Sequence, residues 1–131
     1  MSHFTTAKSK IKDLKTLKDA LKRKGTNLEI GKSKVRGYSG GKAEADAVIK
    51  GKKGYDIGFV KNTATGDFDI VTDQWGLRTY EGISDPVDLL NSFSQDYTVE
   101  EIRQKAFMEG MDVMEHEVDA EGTITLEVSY G

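Results

Sequence analysis

The chain has no cysteine, one proline and one tryptophan among its 131 residues. Without cysteine there is no disulfide framework, no thiol nucleophile and no thiolate zinc site, so the chain is indifferent to redox compartment. No apolar run approaches the ~20 residues that span a bilayer, and no membrane partner is expected. The opening Met1-Ser2-His3-Phe4-Thr5-Thr6 lacks the continuous apolar stretch of a secretory signal. The expected setting is therefore cytoplasmic, or plastid stroma if the chain is organelle-encoded. The two histidines, His3 and His116, fall in no HxH or HExxH pattern. They would meet only if the first and penultimate strands were neighbours. No metal ligands, no cofactor and no catalytic residues are assigned, and no enzyme activity is expected.

Charge is what the sequence does have, unevenly spread. The formal net charge is −3. Residues 1–53 hold fifteen Lys/Arg against five Asp/Glu, a balance of +10. Residues 54–131 hold four against seventeen, a balance of −13.

The length fits one domain over residues 1–131. Phe4–Ile11 reads as a strand. Asp13 sits at an N-cap position before Leu14, Leu17 and Leu21 at helical spacing, and Gly25 stops that helix after Lys22-Arg23-Lys24. Asn27–Ile30 is a short strand ended by Gly31, and Gly31–Lys42, with its glycines and serines, reads as a loop or irregular edge. Alternation marks strands at Ala43–Ile49, Tyr55–Phe59 and Phe68–Thr72, the last two joined in a hairpin by Asn62–Gly66. Asp85-Pro86 opens a helix through Leu89, Leu90, Phe93 and Tyr97. Thr98-x-x-Glu101 has capping-box form and predicts a further helix through Ile102, Ala106 and Phe107 to Gly110. Two strands around an Asp119–Gly122 turn close the chain. The order is β-α-β-β-β-β-α-α-β-β, an α+β fold with a mainly antiparallel sheet covered by helices on one face.

Three segments in this order resemble a known family. They are Met1-Ser2-His3-Phe4, Val35-Arg36-Gly37-Tyr38-Ser39-Gly40 and Gly54-Tyr55-Asp56-Ile57-Gly58-Phe59. Glu121-Gly122 before Ile124-Thr125-Leu126 is similar too. The family is the hypothetical chloroplast reading frame thirty-five family of cyanobacteria and algal plastids, a domain of unknown function, and the likeness covers nearly the whole chain. The resemblance implies a cyanobacterial, plastid or cyanophage setting. It carries over no activity and no catalytic residues.

Arg36-Gly37-Tyr38-Ser39-Gly40-Gly41-Lys42 looks like a phosphate cradle, but a Walker A loop needs glycine where Arg36 stands and Ser or Thr where Ala43 stands. What is left is an anion contact from glycine-loop N–H groups, or simply a bulged sheet connection. Asp56 and Asp69 are the paired carboxylates best placed for acid–base work, weighed against alternating acids on a solvated face. Trp75 is expected outside a regular element, as a core lid or else a contact anchor. Lys8, Lys10 and Lys12 fall on one side of the first strand, and Lys22, Arg23, Lys34 and Arg36 extend the basic surface, with Tyr38 as a partner contact.

The resulting reading is a small soluble binding or assembly module working through charged faces, by docking a protein partner or by self-association. The alternative is a nucleic-acid or phosphate-ligand binding protein using the basic half. Whether the first and last strands lie side by side bears on whether the two charge halves neutralise each other.

Overall fold

The computed structural model describes residues 4–7, 9–37, 42–83, 86–121 and 123–130. The element order is β1 (Phe4–Ala7), α1 (Leu14–Arg23), β2 (Glu29–Arg36), β3 (Lys42–Ile49), β4 (Ile57–Lys61), β5 (Phe68–Asp73), α2 (Gln74–Tyr80), α3 (Pro86–Met108), β6 (Met111–Val118) and β7 (Ile124–Tyr130). β1 to β5 form one antiparallel sheet in the order β1-β5-β4-β3-β2, and β6 pairs with β7 in a separate two-stranded sheet. The fold is α+β, as expected. The first and last strands are not neighbours, however, because β1 pairs with β5 while β7 pairs with β6.

α1 forms where its capping chemistry places it. The Asp13 carboxylate accepts from the backbone N–H groups of Lys15 and Thr16 at 2.9 and 3.4 Å, and the chain leaves the helix at Gly25. Leu17 and Leu21 lie buried against Leu28, Phe59, Ile70 and Phe93, the core between the sheet and the helices. The rings of Phe59 and Phe93 are 5.9 Å apart and tilted at 54°, a favourable aromatic packing.

Four local expectations need correction. The first strand ends at Ala7, so Lys10 and Lys12 are not on a strand and the period-two stripe does not form. Gly31 does not end a strand. It sits at φ 130° where the β2–β3 register shifts between Ile30 and Ser33, and β2 resumes to Arg36 through the expected loop. A bulge thus bends the strand that a stop was expected to break. Trp75 lies on a helix, α2, capped by the Asp73 carboxylate accepting from Gly76 N–H at 3.1 Å, and it is 43% exposed rather than a core lid. Finally, the two helices expected on either side of Thr98 are one, α3, because the Thr98 hydroxyl donates to the Ser94 carbonyl at 2.9 Å one turn back instead of capping a new helix.

The bulge has a larger consequence. Val48 pairs with both Glu29 and Gly58, so Val35 would lie far along a flat sheet from Gly58. Instead a Cβ at Gly58 would come within 2.3 Å of Val35 Cγ2 and 3.0 Å of Ala45 Cβ. The end of the β2–β3 hairpin therefore folds back across the sheet face opposite the helices. There Val35, Ala45 and Val48 form a second, small core. The sheet is covered on one face by helices and partly on the other by its own arm.

Candidate functional site

The folded-back arm is latched by the most densely hydrogen-bonded carboxylate among the described residues. Asp56 is 0% exposed. One of its oxygens accepts from the Arg36 backbone N–H at 2.9 Å and Arg36 Nε at 2.8 Å; the other accepts from an Arg36 terminal nitrogen at 2.7 Å and the Gly51 N–H at 3.0 Å. The backbone closes the same contact, with Asp56 N–H donating to the Arg36 carbonyl at 3.2 Å. Burial pushes the Asp56 carboxyl up, but the hydrogen bonds from Arg36 and Gly51 and the guanidinium charge outweigh it and hold the group below its ordinary range. The Asp56 hydrogen bond raises Arg36 in turn. Glu81 ties the same turn from its other side, accepting from the N–H groups of Lys53 and Tyr55.

Such a carboxylate is a permanent charge with its lone pairs used, poorly suited to proton transfer. Asp69 does not join it. Ile57 pairs with Thr72 and Val60 with Asp69, which sets Asp69 about 13 Å along β5 from the level of Asp56. The quoted segments around Arg36 and Asp56–Gly58 thus converge on one structural contact, the latch and the packing of Val35 over Gly58.

Four of the candidate basic residues are engaged in ion pairs. Lys12 pairs with Asp67 at 2.9 Å, Arg23 with the buried Glu100 at 2.7 Å, Lys34 with Glu44 at 2.9 Å and Arg36 with Asp56. The Lys34 hydrogen bond lowers the Glu44 carboxyl. Lys24 also pairs with Asp96 at 3.2 Å. Four of these pairs join the basic half to the acidic half, reducing +10 and −13 to +6 and −9. Lys10 and Lys22 are exposed and make no ion pair among the described residues. Lys8, Tyr38, His3, Asp85 and the glycine loop at 38–41 lie outside the described residues, as does the side chain of His116.

A different surface stands out. α3 packs against both α1 and β6, and between them runs a groove of about 710 Å³. α1 contributes Asp19, Lys22 and Arg23 to one wall, and β6 contributes Met111, Asp112 and Val113 to the other. α3 forms the floor, ending in Phe107 and Met108, which are 76% and 87% exposed. Polar groups within the groove are largely satisfied: Arg23 pairs with Glu100, Gln104 Nε2 donates to Asp19 at 3.2 Å, and Arg103 donates to the Val113 carbonyl at 3.3 Å. The sequence pattern runs a helix through Ile102, Ala106 and Phe107, three apolar residues of which the structure buries only Ala106 and leaves Phe107 exposed. The signal for this lies in the run Ala106-Phe107-Met108. Successive helical residues point about 100° apart, so burying Ala106 turns its two neighbours away from the core.

Among the described residues no helix is long and apolar enough to cross a membrane. No solved structure matches the chain. It is similar to the uncharacterized protein ycf35 of Cyanophora paradoxa, 28% identical over 128 residues covering 98% of this chain and 96% of the relative. It is likewise similar to the ycf35 protein of Guillardia theta, 30% identical over 126 residues, or 96% and 94% of the two chains. Residues 20–127 match the sequence pattern of the proteins of unknown function grouped as DUF1257, and the chain belongs to that family.

Proposed function

We propose that the chain is a non-catalytic binding module whose working surface is the groove between α1, α3 and β6, and whose ligand is a protein. The observation that carries this reading is the pair Phe107 and Met108, adjacent, highly exposed and set over a groove that also contains Met111 and Val113. A lone exposed apolar side chain needs no explanation. A contiguous apolar patch with a polar rim is the common form of a protein contact. The charged faces support docking less, since Lys12, Arg23, Lys24 and Arg36 of the basic half already pair with the acidic half.

A photo-crosslinking side chain at position 107 tests this directly, with the same group at Ala64 in the exposed β4–β5 turn as control. Discrete protein adducts from 107 and none from 64 are the expected result. Equal labelling from both positions, or none from 107, would overturn the reading.

The polyanion alternative rests on fewer groups, Lys10 and Lys22 of the described candidates. A gel shift with DNA and RNA at two salt concentrations decides it, because phosphate contacts must weaken as salt rises.

A further inference from the structure

We infer that the occupant of the groove is a second copy of this chain, related by a two-fold axis, with Phe107 and Met108 of each copy covering Met111 and Val113 of the other. The inference rests on the groove being the working surface and adds the identity of what fills it. Three groups on the walls have no ion pair among the described residues, and one of them, Asp19, accepts the Gln104 hydrogen bond. Lys22 on the α1 wall and Asp112 on the β6 wall are left with neither an ion pair nor a side-chain hydrogen bond among the described residues. They carry opposite signs on opposite sides of the α3 floor, which ends in the exposed Phe107 and Met108. A partner of one sign would answer only one of them. A second copy turned by a two-fold axis answers both, setting each Lys22 against the other copy's Asp112, because an isologous contact must be complementary to itself.

The β6–β7 hairpin points the same way. A two-stranded sheet is marginal by itself, and its described outward residues, among them Thr125, Glu127 and Ser129, are exposed. Among the described residues its main packing partner is α3, beside the groove. A second copy on the groove would bury that joint. The apolar centre is small beside the ~800 Å² per partner of a standard interface, so the dimer forms reversibly with concentration.

Sedimentation equilibrium from micromolar to submillimolar protein is the test. The wild-type mass should rise from 14.5 kDa toward twice that value. Phe107→Asp with Met108→Asp should hold the chain at the monomer mass with an unchanged melting curve, since neither side chain is buried. Lys22→Asp and Asp112→Lys should each weaken the dimer about tenfold, the symmetry counting each contact twice, and the combined swap should restore it. A wild-type chain that stays monomeric at every concentration overturns the inference, as does a doubly substituted chain that dimerises as well as wild type. A monomeric wild type whose position-107 crosslinker still gives discrete adducts with other proteins sinks this inference while leaving the groove reading intact. Loss of all crosslinking from position 107 sinks both.

Discussion

Replacing Asp56 by alanine removes at once the three acceptor contacts that hold Arg36 of the β2–β3 arm against the β3–β4 turn and the one from Gly51 that closes the turn itself. The costs on the two sides differ. Arg36 is 44% exposed, so its freed guanidinium regains water, and a value for a fully buried ion pair must be discounted accordingly. The N–H groups of Arg36 and Gly51 lose their acceptor in a site that was fully covered. Stranded buried donors cost about 1–3 kcal/mol each, and breaking one side of a buried pair about 3–5, so the discounted loss is about 3 kcal/mol. With a urea m-value of about 1.5 kcal/mol/M, the unfolding midpoint falls by about 2 M. Arg36→Met leaves the carboxylate buried with only backbone donors and costs about 2 kcal/mol. Since both variants break one contact, Arg36→Met combined with Asp56→Leu should cost at least ~1 kcal/mol less than the sum of the single losses. Urea curves followed by the fluorescence of Trp75 provide the assay. A loss below about 1 kcal/mol for Asp56→Ala, or strict additivity in the cycle, would refute the latch.

Further outcomes follow from the same geometry. Gly58→Ala drives a methyl to 2.3 Å from Val35 Cγ2 and should cost about 1–3 kcal/mol, partly recovered by Val35→Ala; an unchanged melting temperature would contradict the folded-back arm. Gly76→Ala places a methyl 1.8 Å from the Tyr55 ring, inside the ordinary contact limit, and should lower the melting temperature similarly. Because the Asp56 carboxyl is lowered in the folded state, its stabilisation is complete above the unfolded value of about 4 and is lost as pH falls through the folded value. Wild-type stability should therefore drop below about pH 4 more steeply than that of Asp56→Asn, and parallel acid curves would argue otherwise. Lys34→Ala breaks only an exposed pair and should leave the urea midpoint unmoved, in contrast to Arg36→Met.

The elements were legible where local chemistry and burial agree. Asp13, Leu17, Leu21 and Gly25 mark α1 by cap, apolar spacing and stop, and each does in the structure what its residue type favours. The alternation of Ile57, Phe59, Phe68 and Ile70 places the central hairpin, because those side chains face the helices. Where tertiary contact overrides local preference, the reading missed. Gly31 looks like a stop but serves a bulge. Trp75 reads as lying outside a regular element, but Asp73 caps a helix there and Gly76 within it admits the Tyr55 ring. Thr98 looks like a cap but bonds backward inside α3. The helix count agreed with expectation only because missing α2 and dividing α3 cancelled. The partner of Arg36 lies twenty residues away in the turn before β4, and nothing in the local pattern announces that the bulge will carry one to the other. The groove was hidden for the same reason, since its walls come from α1 and β6, far apart in the sequence and both packed on α3.

Methionine-methyl NMR follows the proposed surface most directly. The chain has four methionines, and Met108 and Met111 lie in the groove. With both signals assigned by Met→Leu variants, they should shift together as wild-type protein is concentrated and stay fixed in the Phe107→Asp, Met108-retaining chain. Signals of Met108 and Met111 that do not move across the same concentrations would contradict a self-associating groove.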